Sequence, residues 1–172
     1  MSALAADFAR ESARYLRETY LPRMARALEA LPPGDLWWRP HPDAIAFGTI
    51  LLHLEGNVRQ WILSGMGDHP DDRDRASEFS AEDGPPGDEL LRKLEATVRA
   101  AADRIGGMDA EALDATYRIQ GGDVRGLAAV YHVVEHFAWH TGQAVWIAKT
   151  RAGRGHGVAF YDDARVNAAR NE

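Results

Sequence analysis

The stretch HVVEHFAWHTGQ, residues 132–143, sets His132, His136 and His140 four residues apart, with Glu135 beside the middle one. Neutral imidazole is the commonest protein metal ligand and also titrates near physiological pH, so the question is which of these rings could share an ion. In a helix, residues four apart lie about 6 Å from one another along the axis and on one face. Two imidazoles so placed can reach one metal at bonds of about 2.1 Å. His132 and His140 are two turns apart, about 12 Å, which is too far for one ion. The usable pairs are His132 with His136 or His136 with His140, and spacing alone does not choose between them.

The first pair has a named signature. His132, Glu135 and His136 match H-x-x-E-H, the inverted zincin arrangement, in which two histidines hold zinc and the glutamate activates water. Five letters recur readily by chance. Enzymes of that class are far larger and take a further carboxylate ligand well downstream, where this chain offers Asp162, Asp163 and Glu172 in a tail read as irregular. The second pair gains from His53 in FGTILLHLEGNVRQWI. On a helical wheel His53 shares its side with Thr49, Asn57 and Gln60, and the apolar arc begins about 60° away at Ile50. One histidine on such a stripe is most often a hydrogen-bonded core residue. Joined with a histidine pair on another helix, it points to a three-histidine site.

Hydrophobic periodicity supplies four helices to carry these groups. The first spans about residues 3–30, with a kink or break expected at Pro22. The connector LPPGDLWWRPHPD follows, anchored by its two tryptophans. The second helix spans about 44–65 with Asp43 as N-cap. A charged, breaker-rich stretch from Gly67 to Gly87 reads as a long, solvated loop. DELLRKLEATVRAAADRIGG is the third helix, with an acidic start and a glycine stop. DATYRIQGG has room for a few extended residues. The fourth helix runs from Asp123, as N-cap, to about Arg151, and an irregular tail closes the chain. No charged residue stands between Glu135 and Lys149 if the histidines are neutral. Apolar groups therefore surround the fourth axis, as in a helix central to a bundle or buried between subunits. Gln143 falls near the histidine line, and Trp139, about 60° from His136, reads as core.

Composition narrows the function. A chain of 172 residues, 45% hydrophobic, suits one domain over 1–172. A net charge of -6 with both signs interleaved offers no basic face for nucleic acid. The absence of cysteine excludes disulfides, thiolate ligands and a cysteine nucleophile. The charged N-terminal stretch shows neither signal peptide nor spanning helix, which makes a cytoplasmic protein the expectation. The diiron carboxylate bundle requires Glu-x-x-His pairs, but Ile50, Val133 and Phe137 stand three residues before His53, His136 and His140. No G-x-S-x-G elbow and no Walker-type phosphate loop occurs.

LWWRP before the second helix, HLEGNVRQWILSG within it, PDDRDRASEF after it and HVVEHFAWHTGQ in the fourth together resemble the DinB-like (damage-inducible B) metalloprotein superfamily. The resemblance covers nearly the whole chain and is closest to a subfamily without an assigned activity. It implies an all-α four-helix bundle, commonly a homodimer, binding one divalent ion through a second-helix histidine and an H-x-x-x-H pair in the fourth. The ligands implied are His53, His136 and His140. His132, Glu135, Gln143, Asn57 and Gln60 then become neighbours of the site. Three neutral imidazoles leave an open position that water or a thiolate would fill. Imidazole suits several metals, and zinc or nickel is expected. The resemblance further implies a metal-dependent enzyme of thiol-dependent transferase or hydrolase type, working on a small molecule, in the former case with an external low-molecular-weight thiol. The competing expectation is a non-catalytic dimeric binding protein in which the ion is structural.

Overall fold

The computed structural model describes residues 3–154. The first apolar stripe forms α1 (Ala3–Arg14), a π-helical turn (Tyr15–Tyr20) and α2 (Leu21–Glu29) in unbroken succession. The break expected at Pro22 is thus absorbed upstream. Proline has no N–H to give and its ring crowds the carbonyl four residues back, here that of Glu18. The wider π turn contains Glu18 and accommodates both demands.

The connector is anchored as expected. A Cβ on either Gly48 or Gly84 would come within 2.9 Å of the Trp37 ring, so that ring lies directly against both backbones. The Arg151 guanidinium sits 4.6 Å from the Trp38 ring centre while donating to Asp35 at 2.7 Å, which ties the end of the last helix to the connector. α3 (Phe47–Val58) starts at an N-cap of Ala46, not Asp43. The Gly48 amide, an orphan donor of the first turn, is already satisfied by Leu36 O at 2.8 Å, so no acidic cap is required there. Every residue of α3 except Leu52 is buried, and a second π turn (Arg59–Ser64) continues it.

The expected long loop after this helix is only partly a loop. It contains α4 (Arg75–Ser80), whose N-cap Asp74 accepts from the Ser77 amide at 3.1 Å, and α4 packs on α3. α5 (Gly87–Gly106) lies against α3 and α1, close to its expected span. A short α6 (Ala110–Asp114) precedes a two-stranded antiparallel hairpin, β1 (Thr116–Ile119) and β2 (Gly122–Arg125). The architecture is therefore mostly helical rather than strictly all-α. Gln120 and Gly121, with φ of 51° and 77°, close the hairpin as a two-residue turn of the type that matches strand twist. Asp123 pairs across the strands with Arg118, at 2.9 Å, and is not a helix cap.

α7 (Gly126–Ala152) packs on α2 and α3. Of the two places its composition suggests, the centre of the bundle or a subunit interface, it does not hold the first. α3 fills that role, while α7 leaves Leu127, Tyr131, Trp139 and Trp146 between 48% and 63% exposed. Trp139 is accordingly a surface residue, contrary to expectation. One hydrophobic cluster draws on α1, α2, α3, α5 and α7. Among the described residues, no helix is long and apolar enough to cross a membrane. The expected irregular tail, with Asp162, Asp163 and Glu172, lies outside the described residues.

Candidate metal centre

α3 and α7 cross so that His53 faces His136 and His140. The Nε2 atoms of His53 and His136 are 3.1 Å apart, as are those of His136 and His140. One ring nitrogen from each of the three residues lies within 4.8 Å of the others, a group that could hold a metal ion. Nitrogens bound to one tetrahedral ion at about 2.05 Å stand about 3.3 Å apart, so the spacing fits a shared ion. Donor chemistry agrees. Burial, then the charges His140, His53 and His132 would carry, push the His136 pKa down to about 3. Burial and His53 push His140 down to about 4, although the Gln143 side chain acts the other way. Both rings are neutral at physiological pH and offer lone pairs.

The support behind His53 was not foreseen from the sequence. Its Nδ1 lies 3.0 Å from Glu78 Oε2, on α4. Glu78 is in turn held by Arg73, Nε to Oε1 at 2.7 Å and Nη2 to Oε2 at 2.8 Å. A carboxylate only accepts, so the contact places the proton on Nδ1 and leaves the Nε2 lone pair facing the other two histidines. Arg73 Nη2 is also 3.1 Å from Nδ1, but a donor there would set a bare imidazole lone pair against the carboxylate. We therefore assign the hydrogen bond to Glu78, where it is charge-assisted. Burial pushes the Glu78 carboxyl up, but the hydrogen bonds from Arg73 and His53 outweigh it and hold the group below the usual carboxylate range. The expected solvated loop thus supplies two charged side chains, 2% and 9% exposed, to the back of the site. The sequence signal available was an Asp before RASEF, which marks a short capped turn but not the side it faces.

The remaining expected neighbours divide. His132 packs in a tilted contact on Trp61, ring centres 3.9 Å apart, and its Nε2 lies 3.4 Å from Asn57 Nδ2. Burial lowers its pKa, with Glu135 opposing through charge. Gln60 accepts from Arg73 at 3.0 Å and from Gln120 at 2.8 Å, placing it behind the guanidinium rather than beside the rings. The second π turn carries both Gln60 and Trp61, consistent with the tendency of such turns to occur at functional sites. Gln143 sits one turn beyond His140, and its side chain bears on that ring. Glu135 is exposed and stands outside the histidine cluster. The group that could hold an ion therefore pairs His136 with His140 and His53, not with His132 and Glu135.

A cleft of about 510 Å³ opens beside His140, between Pro40, Ile45, Phe79, Gln143, Trp146 and Ile147. Its walls are mainly apolar, with a few polar groups that could orient a small molecule.

A mostly helical protein with a three-histidine group capable of holding a metal ion is the class these features define. The chain belongs to the family described as Protein of unknown function (DUF1572), whose model matches residues 4–156. No curated protein is significantly similar to it.

Proposed function

We propose that the protein is a DinB-like four-helix bundle, built from the α1–α2 run, α3, α5 and α7, that binds one divalent ion through His53, His136 and His140. The reading is that of a metal-dependent enzyme acting on a small molecule. The convergence of three Nε2 atoms is the observation that carries it. Zinc or nickel suits three neutral imidazoles. Such an ion, when bound, supplies a Lewis acid with an open position for a water or a thiolate.

The chain's own residues do the rest. His136 and His140 stay unprotonated because they are half-buried and face other histidines. Glu78 fixes the tautomer of His53. The cleft beside His140 admits the substrate, with Phe79 and Trp146 as apolar walls and Gln143 as a hydrogen-bonding group near the ligand it follows. The chain is free of cysteine, so a thiol-dependent transfer takes its thiol from a small molecule; hydrolysis is the other form of the same reading. We assign the protein to the cytoplasm and to a homodimer joined through the exposed apolar side of α7, around Leu127, Tyr131, Trp139 and Trp146.

The test is a screen of the zinc- and nickel-loaded protein with low-molecular-weight thiols and model electrophiles, and in parallel with hydrolysable esters and amides. Turnover above the free-ion rate, abolished by His140→Ala, supports the reading. No rate above free metal in either arm removes the catalytic part and leaves a dimeric binding protein with a structural ion.

A further inference from the structure

The segment from Asp71 to Ser80 does more than cover α3. It inserts one buried ion pair, Arg73 with Glu78, against the back of a single candidate ligand. His53 differs in this from its partners: among the described residues the far nitrogen of His136 is buried without a hydrogen-bond partner, and His140 is backed by the neutral Gln143 amide. Of the three, His53 is the one whose proton position and ring direction are set by a carboxylate. α3 is shaped for the insertion. A Cβ on Gly56, one turn after His53, would run into Glu78 Oε1 and stand 3.0 Å from Arg73 Nε. Gly56 therefore leaves the space that the ion pair fills. The residue after Glu78 extends the link outward: the Phe79 ring lies 4.7 Å from the His53 ring and also forms a wall of the cleft beside His140.

From this geometry we infer that residues 71–80 form a strap coupled to the metal ion: Glu78, locked by Arg73, is the positioning residue that aims His53 Nε2 at the ion, and through Phe79 the same strap completes the cleft wall. The inference rests on the three-histidine reading and adds a thermodynamic link to it. If the seated strap favours the ion, the ion must favour the seated strap by the same factor. Ion binding then favours the closed form of the cleft wall by that same factor. Carboxylates behind metal-bound histidines are typically worth about 10- to 100-fold in affinity, and that is the scale expected here.

Two measurements test it on the full chain. Zinc affinity, by competition with a chromophoric chelator, is compared between the parent, Glu78→Gln and the exposed control Glu82→Gln. Amide hydrogen exchange over residues 73–80 is followed in the parent and in Glu78→Gln, with and without zinc. We expect Glu78→Gln to bind zinc about 10- to 100-fold more weakly while Glu82→Gln matches the parent. Zinc should slow exchange across the strap in the parent and much less in Glu78→Gln. Equal affinity of parent and Glu78→Gln overturns the inference and leaves the metal site standing. So does zinc that leaves strap exchange unchanged in the parent, a result independent of whether the variant folds. A parent that binds no zinc overturns the metal reading and the coupling with it.

Discussion

Trp61 lies over His132, ring centres 3.9 Å and planes 34° apart, and this contact turns a histidine of the sequence motif into a packing group. Within α7 the His132 ring stands 5.2 Å from that of His136. Removing the indole leaves a void beside α7 but touches none of the three converging nitrogens. Trp61→Ala is expected to cost about 2–3 kcal/mol, somewhat below a fully buried aromatic because Trp61 is half-buried. Its metal content should equal the parent's. Chemical denaturation and metal analysis of the same sample check both parts, and loss of the ion would show that His132 belongs to the site.

Two glycines give opposite expectations. Gly56→Ala forces a methyl against Glu78 Oε1, so it should lower the melting temperature and weaken metal binding together. Gly142 lies on the exposed side of α7, between His140 and Gln143, and a Cβ there meets nothing within 4 Å. In the Tyr131→Glu monomer, where that side of α7 is not covered by a second copy, Gly142→Ala should therefore stabilise the chain by about 0.5–1 kcal/mol, the usual helix-interior difference. Thermal melts of both variants decide; a neutral Gly56→Ala would mean that the ion pair is free to shift.

The histidines set a pH dependence. His136 and His140 have folded pKa values lowered to about 3 and about 4, against about 6.5 in an unfolded chain. Between those limits the unfolded state binds more protons, so stability rises with pH. The metal-free protein should therefore lose stability as pH falls from about 6.5 toward 4, and this contribution should be flat above pH 7. Denaturant midpoints across that range test the sign. A midpoint that climbs on acidification through this window would contradict the assignment of both rings as buried and neutral.

The apolar side of α7 predicts association. Tyr131 is 62% and Trp139 63% exposed on one helix, and large apolar groups clustered on a surface commonly mark an interface. A dimer is expected in light scattering at micromolar protein, with Tyr131→Glu shifting it to monomer while the helical content stays unchanged. A monomeric parent would place this side in solvent or against another partner.

Much of the frame was legible because it depends on local rules. The four long apolar patterns produced helices close to their expected spans, and the Trp37 anchor followed from a connector rich in proline and glycine. Elements decided by pairing were not legible. Asp123 reads as a cap from its neighbours alone, but the register that sets it opposite Arg118 belongs to the hairpin. The uncharged run in α7 suggested a helix central to the bundle or buried between subunits, but wheel geometry does not say which neighbours arrive, and α3 took the central place. At the site, the i, i+4 rule narrowed the histidines to two pairs, and only the crossing of α3 with α7 brought His53 to His136 and His140. Arg73 and Glu78 read as solvated charges because nothing in the spacing of PDDRDRASEF says that the turn folds inward.

Whether His53, His136 and His140 share one ion is decided by metal content per chain, by mass spectrometry on the parent, His132→Ala and His140→Ala prepared identically. About one zinc or nickel ion per chain is expected in the parent and in His132→Ala, and almost none in His140→Ala, since three ligands anchor the ion and His132 is not among them. Loss in His132→Ala with retention in His140→Ala would overturn the three-histidine site, as would a parent that holds no metal after reloading.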